Sequence, residues 1–259
     1  MRAPGQGIGL YRAQGIVLRS IRLGEADRII TFYTQGHGRV RGVAKGVRKS
    51  KSRFGGRLDA FTHVDLQLYK GRSDLDIVTQ ADILARPKRI RADYTAFCAA
   101  AAMADAIDRT TPERERNVSA FLLLRSALKA LEDGATDPPL LAYAFLAKLT
   151  SMAGLHPTLR ACVDCGSEPI VAFSHGRGGA VCGSCVERAD PKVDDQLLAA
   201  WSLILEQEWA ELRTIDMPIA EQRALATMLL TFVQWHTETR FRAFAVLPSV
   251  LSVEGRTVH

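Results

Sequence analysis

Near the end of its first quarter the chain alternates polar and apolar residues without a break, His63-Val64-Asp65-Leu66-Gln67-Leu68. Successive side chains of a β-strand point to opposite faces of the sheet, so this period puts the valine and the two leucines on one face. The run therefore predicts a strand with one face buried in a core and the other face in contact with water.

Further segments around this run also have strand character, at residues 14–18, 29–33, 39–43 and 75–78. Residues 29–33 are β-branched and aromatic, and in 39–43 Val40 faces one side while Arg39 and Arg41 face the other. So many strands in a short stretch predict a small closed barrel or a sandwich. The connections are too short for crossover helices, so we expect the sheet to be antiparallel.

After Pro87 the pattern changes to that of helices, which we predict at residues 93–109, 114–133, 138–152, 194–213 and 218–241. Apolar stripes at helical spacing are expected in the core: Phe121, Leu124, Leu128 and Leu131; Leu141, Phe145, Leu149 and Met152; Leu225, Met228, Leu229 and Phe232. Strands followed by helices predict an α+β chain or two domains. We expect a flexible lead at residues 1–10, a barrel at 11–86 and a helical domain at 87–259.

Most of the cysteines form two C-x-x-C pairs separated by sixteen residues, Cys162 with Cys165 and Cys182 with Cys185. Four thiolates at this spacing complete a tetrahedron around Zn²⁺ and leave no position for water, so we predict one structural zinc ion. Residues 170–173 and 180–181 are expected to pair as a hairpin inside this module, which covers about residues 160–188. The alternative is that the cysteines are redox-active or have lost their metal.

The net charge of +6 hides an uneven distribution. Residues 1–90 contain 18 Lys and Arg against 7 Asp and Glu, a net charge of +11, and the remainder has a net charge of −5. A strongly basic N-terminal third indicates a polyanionic partner for that part of the chain.

The positive charge is concentrated in residues 39–57, which contain no acidic residue. Such a cluster fits contacts with nucleic-acid phosphates, which supply affinity and little sequence information. The segment offers only Phe54 for base stacking, so we expect salt-sensitive binding to the phosphate backbone of the nucleic acid. The predicted DNA-binding residues are Arg39, Arg41, Lys45, Arg48, Lys49, Lys51, Arg53 and Arg57.

Several classes of protein are disfavoured by what the sequence lacks. No apolar run approaches the ~18 residues of a membrane span, and the N-terminus has no secretory h-region, so we expect a cytoplasmic protein. The sequence has no Walker A loop, no G-x-S-x-G and no H-E-x-x-H. The run from His236 to Glu238 imitates the H-x-E of zinc deaminases, but it follows the complete cysteine set instead of preceding it. We therefore predict that the protein is not an enzyme.

Short motifs in order along the chain resemble the RecO family of bacterial recombination mediators. They are GIVL at residues 15–18, LGEADRI at 23–29, GRV at 38–40, VAKGVR at 43–48, SRFGGRL at 52–58 and DLQLY at 65–69. The resemblance runs from Tyr11 through the cysteines to about Phe241, which is most of the chain.

The resemblance implies an N-terminal OB-type barrel, followed by a helical domain with an inserted zinc module. It further implies binding of single- and double-stranded DNA, annealing of complementary strands, and partnership with RecR and the single-strand binding protein to help load RecA. A bacterial cytoplasmic protein associated with the nucleoid would follow. Two other functions stay open from the residues alone: a zinc-containing interaction scaffold with a basic face, and a zinc hydrolase or deaminase.

Overall fold

The computed structural model describes residues 9–71, 73–215 and 217–247. The chain forms two compact units. One consists of Met1–Arg91 and Ala104–Leu128, and the other of Ala92–Met103 and Lys129–His259. The mixed α+β architecture predicted from the sequence is confirmed, with strands first and helices after them.

The first unit is built on a sheet that closes on itself in the strand order β1-β2-β3-β5-β4. Its strands are β1 Gly9–Leu23, β2 Asp27–Thr34, β3 Gly38–Ala44, β4 His63–Lys70 and β5 Asp76–Ala85. The long β1 pairs with β4 through its first half and with β2 through its second half, and the sheet closes through this double pairing. Residues 9 and 10 of the predicted flexible lead belong to β1, and residues 1–8 lie outside the described residues.

The alternation seen in residues 63–68 is confirmed in β4. Val64, Leu66 and Leu68 are at most 1% exposed and lie in the core that the strands enclose. A 3-10 turn follows β3. Phe54, directly before this turn, and Leu58, at its end, pack in the same core. The loop that contains most of the predicted DNA-binding residues is therefore fixed to the barrel by its own apolar side chains.

The expectation of a fully antiparallel sheet is wrong at one pair of strands. β3 and β5 run parallel, with Gly42 opposite Asp76 and Val43 opposite Ile77. A parallel pair needs a long connection, and here β4 and its loops supply it in place of a helix. The length of the connection between two consecutive strands says nothing about pairing between strands that are distant in sequence, such as β3 and β5.

The helices are α1 Arg89–Ala92, α2 Tyr94–Thr110, α3 Val118–Asp133, α4 Pro138–Met152, α5 Asp195–Glu206 and α6 Ile219–Thr237. The apolar stripes are buried as predicted, except that Met152, at the end of α4, is 49% exposed. α3 begins at residue 118 instead of 114 because the side chain of Asn117 accepts a hydrogen bond from the Ala120 amide. α5 ends at Glu206 instead of 213 because Gln207 has an extended backbone.

The connection between α2 and α3 lies directly on the start of β3. The backbone N–H of Arg114 donates to the carbonyl of Arg39 over 2.9 Å. Gly38 has a φ of +60°, and a Cβ at this position would be 1.8 Å from the carbonyl oxygen of Glu115. Only glycine permits both this backbone conformation and this close approach.

The second unit contains a two-stranded hairpin, β6 Ile170–Ser174 and β7 Gly179–Cys182, as predicted. An aromatic cluster fixes the hairpin to the helices of the unit. Phe173 of β6 packs on Trp201 of α5 and Phe232 of α6, with ring centroids 5.2 and 6.0 Å away. The hairpin is therefore rigidly held where it leads into the last two cysteines.

Candidate functional site

The structure brings together the four cysteines that the spacing selected. The sulfur atoms of Cys162, Cys165, Cys182 and Cys185 all lie within 4.8 Å of one another. Two of the separations, Cys165 to Cys182 and Cys165 to Cys185, are 3.6 Å. A tetrahedral site with metal–sulfur bonds of about 2.3 Å has sulfur–sulfur edges of about 3.8 Å. The cluster is thus of the right size to hold one metal ion.

Local backbone turns position these cysteines. The Gly166 amide donates to the carbonyl of Cys162 over 2.9 Å, and the φ of +73° at Gly166 allows this tight reversal. The second turn starts at the end of β7, where the amides of Cys185 and Val186 donate to the carbonyl of Cys182. Both pairs therefore form similar knuckles that face each other.

The same turns affect ionisation of the thiols. Hydrogen bonds from the backbone, first of all at Cys182, lower the pKa of Cys162 to about 6. In contrast, hydrogen bonding to the sulfur of Cys165 raises the pKa of Cys185 to about 12. Within so small a cluster each thiolate opposes the ionisation of the next, and cations stabilise thiolates.

Arg177 in the hairpin turn connects both knuckles, and the sequence reasoning missed it. Its guanidinium donates to the carboxylate of Asp164 over 2.6 Å and to the carbonyl of Cys185 over 2.9 Å. It also donates to Asp190, whose carboxylate accepts from the Glu187 amide. An arginine between glycines gave no signal in the sequence, because its partners come from three separate turns.

The eight predicted DNA-binding residues fall into two groups. Arg39 and Arg41 lie on β3 and are paired with acids from the end of α2 and the connection after it. Arg39 is 2.8 Å from Asp108, which also binds Arg19 at 2.6 Å, and Arg41 is 2.9 Å from Glu113. Burial alone would raise the pKa of Asp108, but hydrogen bonds from the two arginines hold it below its usual range. The two acids thus neutralise the charges of Arg39 and Arg41.

The other six cations are exposed and form no ion pair with any residue in the described part of the chain: Lys45, Arg48, Lys49, Lys51, Arg53 and Arg57. They belong to the loop that follows β3, which we call the basic loop (residues 45–57). Phe54 is 1% exposed, so the single aromatic side chain of this loop belongs to the core and does not face a ligand. The loop therefore presents positive charge without a stacking platform.

His236, part of the deaminase-like run, lies apart from the cysteine cluster. Its Nε2 lies 2.8 Å from the carbonyl oxygen of His175, and its ring packs on Phe232. Among the described residues, the potential metal ligands that cluster are the four cysteines alone. This arrangement disfavours the deaminase hypothesis, because that chemistry needs an open metal position for water, and four thiolates would occupy every position of a tetrahedral ion.

Comparison with known proteins identifies the family of the chain. The model of the Recombination protein O N-terminal family matches residues 8–87, and that of the Recombination protein O C-terminal family matches residues 91–243. The chain belongs to the RecO family. A DNA repair protein RecO from Thermobifida fusca is 38% identical over 93% of this chain and 99% of its own length. A RecO protein from Cutibacterium acnes is 36% identical over 92% of this chain. One from Streptomyces griseus is 38% identical over 91% of this chain. In both cases the match covers 98% of the relative.

Membership in the RecO family confirms the resemblance found in the short motifs and supports a role in DNA repair. The matched regions include both the basic loop and the four cysteines. None of the described helices is long and apolar enough to cross a membrane.

Proposed function

We propose that this protein is a non-enzymatic mediator of recombinational DNA repair of the RecF-pathway type, which binds DNA and anneals complementary strands. The observation that carries the proposal is the basic loop, with six exposed cations free of ion pairs in the described structure. Cations placed along two strands reduce the repulsion between their phosphates, so pairing proceeds without a chemical step. No catalytic residue is required.

The DNA-binding domain in this proposal is the barrel of residues 11–86, taken as an OB-type fold. Five strands and a closed sheet of this size are typical of OB-folds, whose exposed strands and loops bind oligonucleotides. In this proposal the basic loop binds the phosphates. Arg39 and Arg41 mainly form ion pairs within the protein, because acids already neutralise their charges. Binding is then driven by the DNA backbone and falls with salt.

We propose one structural Zn²⁺ at Cys162, Cys165, Cys182 and Cys185. Four thiolates saturate a tetrahedral ion, so the ion would stabilise the knuckles and the β6–β7 hairpin without catalysing a reaction. Arg177 adds positive charge next to a tetrathiolate site, whose net charge with Zn²⁺ is negative.

The partners in this proposal are single- and double-stranded DNA, RecR and the single-strand binding protein, with the outcome that RecA is loaded on gapped DNA. A bacterial cytoplasmic location at the nucleoid fits these partners. The residues after position 90 have a net charge of −5, so protein contacts suit them better than DNA contacts.

A triple charge reversal, Lys49→Glu with Lys51→Glu and Arg53→Glu, tests the DNA-binding role. We expect severe loss of affinity for a labelled oligonucleotide, while zinc content stays constant because the cysteines are untouched. The matched control is Arg188→Glu with Lys192→Glu and Arg240→Glu, which reverses three exposed cations of the second unit. Unchanged affinity of the triple variant at low salt would contradict the proposal.

Strand annealing, measured with and without single-strand binding protein, tests the mediator role. We expect faster annealing of complementary oligonucleotides with the protein than without it, and continued annealing when the strands are coated. DNA binding without any acceleration would reject annealing and leave the DNA-binding part intact.

One observation favours a protein-interaction scaffold as a second function. A groove of about 550 Å³ along α5 beside the hairpin is lined by apolar residues such as Leu198 and Leu203 and by the charged residues Arg160, Glu168, Asp195 and Glu206. The three carboxylates outnumber the one guanidinium in this lining, and the net negative charge disfavours contact with phosphates. If the protein were only a scaffold, titration with single-stranded DNA would show negligible binding.

A further inference from the structure

Two arginines face each other across the end of the β1–β2 hairpin. In the register of these strands, Arg22 of β1 lies directly opposite Arg28 of β2. Directly opposed residues have Cβ atoms about 4.5–5.5 Å apart, and like charges in this position destabilise a sheet. Such a pair needs a physical explanation.

Nothing in the described part of the chain compensates this repulsion. Neither guanidinium forms an ion pair or a hydrogen bond with a described residue, and Nε of Arg28 is buried without an acceptor. The adjacent Asp27 is engaged elsewhere, because its carboxylate accepts the Gly46 amide over 2.7 Å. A buried donor without a protein acceptor is costly, and an anion bound beside the guanidinium group would satisfy it.

The arginine pair is continuous with the basic loop. The backbone N–H of Arg48 donates to the carbonyl of Ala26 over 3.0 Å, and its guanidinium donates to the carbonyl of Glu25 over 2.8 Å. These bonds hold the start of the loop against the tip of the β1–β2 hairpin. A strand of DNA whose phosphates contacted the loop would therefore pass close to Arg22 and Arg28.

We infer that Arg22 and Arg28 form a phosphate-binding site for the DNA backbone, which extends the interface from the basic loop onto the β1–β2 hairpin. The inference rests on the proposed DNA-binding function. Guanidinium groups bind phosphate oxygens through paired hydrogen bonds, and two successive phosphates, one on each side chain, replace the repulsion by two attractive contacts. The cost of the pair in the free protein is then offset in the complex.

If Arg22 and Arg28 bind phosphates, one substitution should have opposite effects on the stability of the protein and on its affinity for DNA. Arg22→Gln removes the repulsion from an exposed position, so the melting temperature should stay constant or rise. The same change removes one phosphate contact, so the salt slope of binding to single-stranded DNA should fall by about 0.7 and the affinity at 0.1 M salt by about fivefold. A residue with only a structural role would show lower stability and unchanged binding.

The experiment measures thermal unfolding and fluorescence anisotropy with a labelled oligonucleotide over a series of salt concentrations, for Arg22→Gln, Arg28→Gln and the double variant. Arg12→Gln is the matched control, because it removes the same charge from β1 opposite the neutral Gln67. Equal slopes for Arg22→Gln, Arg12→Gln and the unchanged protein would overturn the inference. Absence of DNA binding by the unchanged protein would instead reject the proposed function.

Discussion

Residue type alone does not separate the arginines of β3 from the cations of the basic loop. All belong to one acid-free run in the sequence, yet Arg39 has Asp108 within 2.8 Å and Lys49 has no ion-pair partner among the described residues. A paired, half-buried guanidinium acts inside the protein, whereas an exposed, unpaired ammonium is available to a ligand. Function at this scale depends on the partner of each charge and not on the charge itself.

Arg39→Gln should lower the stability of the protein by about 1–3 kcal/mol, because it leaves Asp108 with fewer partners in a half-buried position. Lys49→Gln should change the free energy of unfolding by less than about 0.5 kcal/mol, because Lys49 is an exposed residue. Chemical denaturation of both variants measures the difference. Equal stabilities would show that the Arg39–Asp108 pair contributes nothing.

Arg177→Ala should weaken metal binding about 10- to 100-fold, because it removes the group that ties both knuckles together. Competition with a chromogenic chelator measures this affinity. Arg188→Ala is the matched control, because Arg188 is an exposed arginine of the same module. Arg177→Lys should recover only part of the affinity, since an ammonium cannot reproduce the planar set of donors.

The ends of elements are set by interactions that periodicity does not show. α3 starts at its Asn117 cap and α6 stops where Glu238 adopts a left-handed backbone with a φ of 50°. β1 extends well beyond the predicted residues 14–18, because it pairs with β4 on one side and β2 on the other. Core-facing positions were therefore predicted better than boundaries.

At the scale of elements, Gly38→Ala tests the fit between β3 and the connection after α2. The new Cβ would overlap the carbonyl of Glu115, and the residue would keep a left-handed φ. We expect a loss of stability of about 2–3 kcal/mol in thermal or chemical unfolding. Gly36→Ala is the control, because a Cβ there meets nothing within 4 Å. Equal behaviour of the two variants would refute the close approach.

At the scale of the whole molecule, the excess of positive charge and the candidate metal site lie in different units of the chain. The basic loop belongs to the first unit, and the four cysteines belong to the second. The net charge of +6 averages a basic N-terminal third with a slightly acidic remainder. The proposed DNA binding and the proposed metal binding should therefore respond separately to substitutions.

Cys162→Ser should release the metal and lower the melting temperature, since three thiolates no longer saturate the ion. DNA affinity below the melting temperature should be nearly unchanged, with a salt slope of about −5.6 if the six loop cations, Arg22 and Arg28 each neutralise a phosphate of single-stranded DNA. Metal analysis, thermal unfolding and anisotropy on the same sample provide the test. A full metal content in this variant would count against the four-cysteine site.

The sequence by itself determined which residues are buried in β4, the hairpin between the cysteine pairs and the choice of the four cysteines, because each depends on short-range periodicity or spacing. Short motifs in order also identified the family. Only the tertiary structure showed the parallel pairing of β3 with β5, the neutralisation of Arg39 and Arg41, the role of Arg177 and the opposition of Arg22 and Arg28. These features depend on pairs of groups that are remote in the chain or on strand register, and neither follows from local sequence.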